Sequence, residues 1–509
     1  MANSKTIPVI DLFAGPGGLG EGFSAYSVAG SQRFDIQLSI EKETNAHKTL
    51  ELRAFYRQFP KGDAPEMYYE HLRGEVRRDE LMNSYPRESK RAKQRAIQLE
   101  LRRENRNEVR EKIAQKISRS DAWVLLGGPP CQAYSLIGRS RRAGTDNDND
   151  PRNTLYHEYL QVIADHWPAI FIMENVKGLL SASVGNKQIF KKILEDLTDP
   201  ADAVRIYTSV SQKQRSHQYQ LMSLSRRSLF DAEKPTDFIL QSQKYGVPQA
   251  RHRIFIVGIR DDLNYNSILQ LISVPPVPIV KVLGSLPRLR SGISRGKDSK
   301  ALWKSVLRGV EKTKWIREIK GDIADQILYS IDKANQRAGN RGGEFVRSSS
   351  TINYLKSWYY DPRIKGICNH STRGHMISDL HRYLFASCFA QVRKKSPSLV
   401  DFPVELYPLH KNVNRALSGS LFADRFRVQL RDRPSTTITS HISKDGHYYI
   451  HYDSKQCRSL TVREAARLQT FPDNYYFCGG RTSQYVQVGN AVPPWLAYQI
   501  AGVVSDILG

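Results

Sequence analysis

Ile7-Pro8-Val9-Ile10-Asp11-Leu12-Phe13-Ala14-Gly15-Pro16-Gly17-Gly18 is a short apolar run that breaks into a cluster of glycines. The apolar part predicts a buried strand, and the glycines predict a tight turn leading into a helix. Glycine at such a turn lets a ligand come close to the backbone. The spacing differs from the G-x-G-x-x-G of dinucleotide sites. Residues 34–40 read as a second strand with alternating apolar positions, and Glu41 stands at its end. A carboxylate placed there can accept two hydrogen bonds from ribose hydroxyls. Turn and acid together point to a nucleoside cofactor that has no pyrophosphate.

Further apolar runs at 123–126, 170–173, 238–240 and 254–257 have the same character, with helix-like segments between several of them. That order predicts an α/β fold whose sheet is mostly parallel and covered on both faces. Residues 71–120 interrupt the rhythm with 15 Lys/Arg and 8 Asp/Glu. Their charge spacing predicts a solvated helical insertion over about 64–120. Pro275, Pro276 and Pro278 mark a boundary. Beyond it, 281–320 carries 12 Lys/Arg against 3 Asp/Glu, interleaved with Trp303 and Trp315. Such a mixture predicts a surface that tracks a polyanionic backbone. The expected division is a first domain of 1–277, completed by 455–509, and a second, smaller domain of 278–454.

The 509 residues include 76 Lys/Arg and 51 Asp/Glu, a net charge of +25. So basic a chain is expected to meet nucleic acid. Five cysteines exclude a disulfide scaffold and suggest a reducing compartment. No stretch is long and apolar enough for a membrane span, and the N-terminal residues lack a signal-peptide core. A cytoplasmic monomer is the expectation.

Gly127-Gly128-Pro129-Pro130-Cys131-Gln132-Ala133-Tyr134-Ser135 follows a strand and so falls at the carboxyl edge of the sheet, where open α/β folds bind ligands. The prolines restrict the backbone before Cys131, as a thiol nucleophile requires. The polar loop 135–153 reads as a lid. Met173-Glu174-Asn175-Val176 delivers a carboxylate to the same edge, where it can donate a proton or cap the next helix. In Gln249-Ala250-Arg251-His252-Arg253, alternation puts Gln249, Arg251 and Arg253 on one face. Two guanidinium groups there would hold an anionic or carbonyl-rich ligand, or pair with local carboxylates. Thr461 and Glu464 have capping-box spacing, so Arg463 and Glu464 are read as packing residues. Cys368, His370, His375, His381 and Cys388 match no common zinc spacing, and no metal is expected.

Taken in order, DLFAGPGG, GGPPCQAYS, ENVKG, QARHR, LTVREAARLQTFPD and QVGNAVPP resemble the motifs of the DNA cytosine-C5 methyltransferases of the bacterial, Dcm-like, restriction-modification or phage-defence type. The motif-bearing portion is about 7–260 and 430–508. The resemblance implies a Rossmann-like S-adenosylmethionine-dependent methyltransferase fold with a target recognition domain as the second, smaller domain. It implies S-adenosylmethionine as cofactor, held by Phe13, Gly15, Gly17, Gly18, Leu19, Glu41, Pro129, Asn490 and Val492. Cys131, Glu174, Arg251 and Arg253 are the implied catalytic set, and Gln132, Ser135, Arg139, Gln249, Arg433 and Thr437 the implied DNA contacts. Gly62-Asp63 is the candidate for the family's adenine-contacting acid. QVGNAVPP is expected to return beside the glycine turn.

Cytosine C5 is a poor nucleophile, and the implied residues address that. Addition of the Cys131 thiolate to C6, a proton shared by Glu174 at N3, and Arg251 on O2 would make C5 enamine-like. The base must first leave the helical stack. The expected partner is double-stranded DNA, with a cognate restriction or defence system beside it. Methylation of cytosine in RNA and a non-catalytic DNA-binding regulator are the alternatives. The long basic region speaks against the former and the intact Cys131, Glu174 and Arg251 set against the latter.

Overall fold

The computed structural model describes residues 6–118, 120, 122–130, 151–184, 187–205, 217–225, 235–265, 270–337, 339–409, 413, 417–418 and 424–509. They form two compact units, Met1–Lys61 with Met82–Pro275 and Ala491–Gly509, and Gly62–Leu81 with Pro276–Asn490. The second unit thus takes in 62–81 and 455–490, which the sequence-based division gave to the first domain. Among the described residues no helix is long and apolar enough to cross a membrane.

In the first unit, β1 (Ile7–Leu12), β2 (Phe34–Glu41), β3 (Ala96–Gln98), β4 (Val124–Gly127), β5 (Ile170–Val176), β6 (Tyr219–Met222), β7 (Ile239–Gln241) and β8 (His252–Arg260) share one sheet. Its order is β6-β8-β5-β4-β1-β2-β3, with β7 also on β8. Joins from β5 to β3 are parallel, and those made by β8 are antiparallel. Side chains alternate along a strand, so a strand apolar at both parities buries both faces. Accordingly Ile10 and Leu12 pack with Leu38, Leu125, Phe171 and Met173 on one face, under Tyr159 and Ile163 of the Pro151–His166 helix. Ile7 and Val9 pack on the other with Ile36, Val124 and Ile172. That face is covered by Phe23 of α1 (Gly18–Ala25) and by Leu496 and Ile500 of the Pro494–Leu508 helix.

Two glycines set this last contact. A Cβ at Gly18 would sit 2.1 Å from the Val492 carbonyl oxygen, and one at Gly22 2.4 Å from that of Pro494. QVGNAVPP therefore does bring Val492 against the glycine turn. The charged stretch differs from expectation, because it is not wholly helical. Between the Pro86–Arg95 and Arg106–Ile117 helices the chain forms β3, which pairs with β2. A three-residue strand at the end of the sheet needs few apolar residues, so the surrounding charges hid it.

The core of the second unit contains Trp303, Trp315, Ile327, Tyr383 and Phe385, drawn partly from the Lys300–Gly309, Asp322–Arg337 and Ile377–Arg393 helices. Trp303 and Trp315 are fully buried, which corrects their reading as part of a nucleic-acid surface. The Lys300–Gly309 helix is amphipathic, and it turns Trp303 and Leu307 inward while Lys300 and Arg308 stay exposed.

Candidate active site

β1, β2, β4 and β5 run in parallel, so their carboxyl ends share one edge of the sheet. The order places β2 on one side of β1 and β4 on the other, making a topological switch point where such folds open a crevice. Immediately beyond β1 the chain takes up left-handed backbone at Phe13, Gly15 and Gly17, with φ of 54°, 56° and 91°. Phe13 is a bulky residue in a costly conformation. It is packed against the core, while Gly17 is the N-cap of α1. Leu19 is buried in the core.

The turn is tied to β2. Ala14 N–H donates to the Ile40 carbonyl at 3.1 Å, and Gly15 N–H donates to Glu41 Oε2 at 2.9 Å. Glu43 N–H donates to Glu41 Oε1 at 2.8 Å. Each Glu41 oxygen accepts one bond here, and a carboxylate has about four lone-pair positions, so capacity remains for a diol. Next to Glu41, β3 ends in register with β2, and Leu99 N–H donates to the Glu41 carbonyl at 3.1 Å. An open cleft of about 600 Å³ lies there, lined by Lys42, Glu43, Gln98, Leu99, Glu100 and Arg102 among others. Glu100, two residues beyond β3, was not singled out in the sequence, because β3 itself was unrecognised. Asp63, the sequence-based candidate for the adenine-contacting acid, belongs to the second unit.

An ionic layer supports the turn from beneath. Glu21 of α1 accepts from Arg53 Nε at 2.9 Å and from Arg57 at 2.9 Å, both from the Thr44–Tyr56 helix and its C-cap. Burial alone would raise the Glu21 pKa, but Arg53 and Arg57 prevail and hold it at about 2. Asp11 on β1 is wholly buried, and burial outweighs the attraction of Arg57, pushing its carboxyl up to about 7.

On the other side of the switch point, Glu174 follows Met173, which pairs with Gly127, the partner of Leu12. The Glu174 carboxylate rests against Gly128, where a Cβ would lie 3.1 Å from Oε2. Arg253 on β8 brings Nε to 3.2 Å from Glu174 Oε1. Asn175 Nδ2 donates to the Pro129 carbonyl at 3.2 Å. Glu174 and Asn175 thus lie against Gly128 and Pro129, while Cys131, Gln132, Ser135, Arg139 and the loop 135–153 lie largely or wholly outside the described residues.

The QARHR segment is not one continuous strand. A short strand Gln249–Ala250 ends at Arg251, whose N–H turns back to the Gln249 carbonyl at 3.0 Å, and β8 starts at His252. Alternation is therefore broken. Gln249 and Arg251 are 0% and 1% exposed, whereas Arg253 is partly open. Gln249, expected among the DNA contacts, and Arg251, expected in the catalytic set, are thus both enclosed.

In the second unit Arg433 is exposed, Thr437 half-buried and Asn490 exposed. Gly489 lets the Arg481–Asn490 helix approach the backbone of Thr439 and Ser440, where a Cβ would clash at 2.3 Å. Thr461 and Glu464 form a reciprocal capping box, and Arg463 donates to the carbonyls of Cys368, Pro472 and Tyr475. The Cys/His group is spread over buried bonds of its own, with His370 on Thr461 and the Pro287 carbonyl, and His381 on the Val306 carbonyl. Among the described residues His217, Asp261 and Asp262 come close enough to share a cation, and they are engaged with one another and with Arg260.

Residues 87–201 and 237–506 match the family model for C-5 cytosine-specific DNA methylases. Type II methyltransferase M.Bpa9945I of Bacillus paralicheniformis is 31% identical over 98% of this chain and 99% of its own. The DNA (cytosine-5-)-methyltransferase M.ApeKI of Aeropyrum pernix is 26% identical over 76% of this chain and 82% of its own. Among solved structures, a prophage-encoded E. coli protein described as a DNA modification methyltransferase aligns with a TM-score of 0.51 and 17% identity, covering 99% of each chain.

Proposed function

The chain belongs to the C-5 cytosine-specific DNA methylase family, and from this we propose that it methylates C5 of cytosine within a specific duplex DNA sequence, with S-adenosylmethionine as donor. The observation that carries this reading is the seat of Glu174, wedged against Gly128, three residues before Cys131 in the sequence, and paired with Arg253. Glu174 and the glycine turn belong to strands two positions apart on one sheet edge, on the order of 10 Å. That is a suitable span for a base and a methyl donor side by side.

The edge fits S-adenosylmethionine. Glu41 has spare acceptor capacity for two ribose hydroxyls, and Phe13, Ala14 and Gly15 of the turn keep part of their surface open to the rest of the molecule. The cleft beyond Glu41 offers Leu99 to an aromatic face and Glu100 to an exocyclic amine. When bound, S-adenosylmethionine supplies an electrophilic methyl group. The residues of this chain prepare the cytosine: the Cys131 sulfur bonds to C6, and Glu174 shares its proton with N3 so that charge does not build up on the ring. Arg253 orients Glu174, and Arg251, at the bend before β8, is the group assigned to O2. Once C5 carries the methyl group, its proton is lost and the C6–sulfur bond breaks, restoring the thiolate.

Kinship to Type II methyltransferases supports a cytoplasmic role beside a restriction endonuclease whose site is protected. Labelled methyl transfer to duplex DNA, with tRNA as comparison, tests the activity. Cys131→Ser should abolish transfer, and duplexes containing 5-fluorocytosine should trap the wild-type chain covalently. Transfer to tRNA in preference to DNA, or full transfer by Cys131→Ala, would overturn the reading.

A further inference from the structure

In the second unit four arginines gather where β-segments Gly292–Ile293, Gly342–Arg347, Gly366–Ser371 and Gly374–His375 meet the Arg481–Asn490 helix. Arg341 Nη2 and Arg481 Nη1 donate to one and the same carbonyl oxygen, that of Thr372, at 3.1 and 3.0 Å. Arg373 is the next residue. Its guanidinium lies 4.5 Å over the ring of Tyr485, one turn along from Arg481, and donates to the carbonyls of Lys444 and Ile442. Arg290 completes the group.

Carboxylates do not match this charge. Asp298 is taken in a two-pronged bond by Arg290 at 2.8 and 2.9 Å and stands 3.6 Å from Arg341. Glu344 accepts from Asn369 and Gln484. Among the described residues neither Arg373 nor Arg481 has a carboxylate at ion-pair distance, and the Nε atoms of Arg341 and Arg373 are buried without a hydrogen-bond partner. Burial first, then Arg373 and Arg341, depress the pKa of Arg481 against the raising effects of Tyr485 and Glu344. The backbone is shaped for this crowding. At Gly292 a Cβ would meet the Arg341 guanidinium at 2.4 Å, so glycine lets that group lie flat on the chain.

We infer that Arg341 and Arg481, backed by Arg373, form a seat for a phosphodiester of the DNA substrate. Guanidinium groups present paired N–H donors that suit phosphate oxygens, and an anion between them would relieve their mutual repulsion. Arg341 and Arg481 keep exposed surface for this, whereas Arg373 is buried and acts from behind. A seat of this kind positions the duplex and reads no base. The inference rests on the proposed DNA substrate but involves none of the residues assigned to chemistry.

The test is duplex binding by the full chain as a function of salt. Arg341→Gln with Arg481→Gln should weaken binding about equally for target and non-target duplexes. The slope of log K against log salt should fall by about 0.9 for each phosphate that the protein no longer neutralises. Arg341→Lys, which keeps the charge, should restore part of it. Methyl transfer at saturating DNA should remain, so an unchanged salt slope with intact transfer would overturn the seat and leave the proposed function standing. Absence of transfer by the wild-type chain would count against the function instead. A second measurement needs no variant fold. Single methylphosphonate substitutions scanned along the duplex should reveal one or two linkages at which wild-type binding falls, and a scan showing none would also overturn the inference. Inorganic phosphate serves as the remaining arm: if it stabilises the wild type at millimolar concentration as strongly as duplex DNA, the seat is a general anion site rather than a grip on the DNA backbone.

Discussion

The interior of the first unit includes Val9, Ile10, Leu125 and Phe171, with the acid Asp11 and the Glu21–Arg53 pair buried beside them. The interior of the second contains Arg458, Arg463 and Arg467, all at most 1% exposed. Arg458 clasps Glu464 at 2.6 and 2.7 Å, and Arg467 clasps Asp473 at 2.9 and 2.8 Å. Apolar layers tolerate small shifts, because dispersion and water exclusion have little direction. Buried charges do not, because removing either partner leaves an ion without solvent. Strand periodicity orders the sheet of the first unit, whereas in the second the Arg458–Glu464 and Arg467–Asp473 bonds are fully buried beside an apolar cluster.

Arg458→Met tests the second mode most severely. With Glu464 left buried and unpaired, urea unfolding should show a loss of about 3–5 kcal/mol. Arg458→Met combined with Glu464→Met should recover much of it. If the double variant is as unstable as the single, the pair is not what holds this core.

Acid and base should act in opposite directions on Asp11 and Glu464. The folded chain keeps a proton on Asp11 between about pH 4 and pH 7 that the unfolded chain has released. That contribution to stability is complete below about pH 4 and is lost as pH rises through about 7, up to about 4 kcal/mol. Glu464 behaves the other way: burial opposes its charge, Arg458 overcomes this, and its pKa lies well below the usual carboxylate range. Its contribution is present above about pH 4.5 and lost as pH falls. Unfolding of Asp11→Asn and wild type at pH 4.5, 6 and 7.5 should diverge with rising pH, the variant gaining. Parallel curves would show that Asp11 ionises without penalty.

Smaller effects sharpen the contrast. Gly18→Ala must displace the Val492 carbonyl and should cost about 1–3 kcal/mol, read as a lower melting temperature. Thr461→Ala removes one half of a capping box and should cost about 1 kcal/mol.

The same contrast governs what was legible in the sequence. Apolar runs, alternating in β2, disclosed β1, β2, β4, β5, β7 and β8, and glycine or acid at the ends of β1, β2, β4 and β5 disclosed the edge where the site lies. The capping box of Thr461 and Glu464 was visible because it is local. β3 was not, since Ala96-Ile97-Gln98 is too short to stand out among charges, and Glu100 was lost with it. The bend at Arg251 was hidden because a turn of the main chain carries no side-chain periodicity. The acceptors of Arg463 are main-chain carbonyls up to 95 positions away, and a carbonyl has no letter in the sequence. Trp303 and Trp315 misled for a related reason, since composition does not say which way a helix turns.

Gly18 and Gly22 have a temporal consequence. They let the Pro494–Leu508 helix close over the first helix of the chain, hundreds of residues after it. At the pace of translation, one side of the sheet stays bare on the ribosome for on the order of tens of seconds before its cover is synthesised. A nascent chain stalled before that helix has the glycine turn but not its lid of apolar side chains, so it should be held by chaperones and unable to modify DNA until synthesis reaches it.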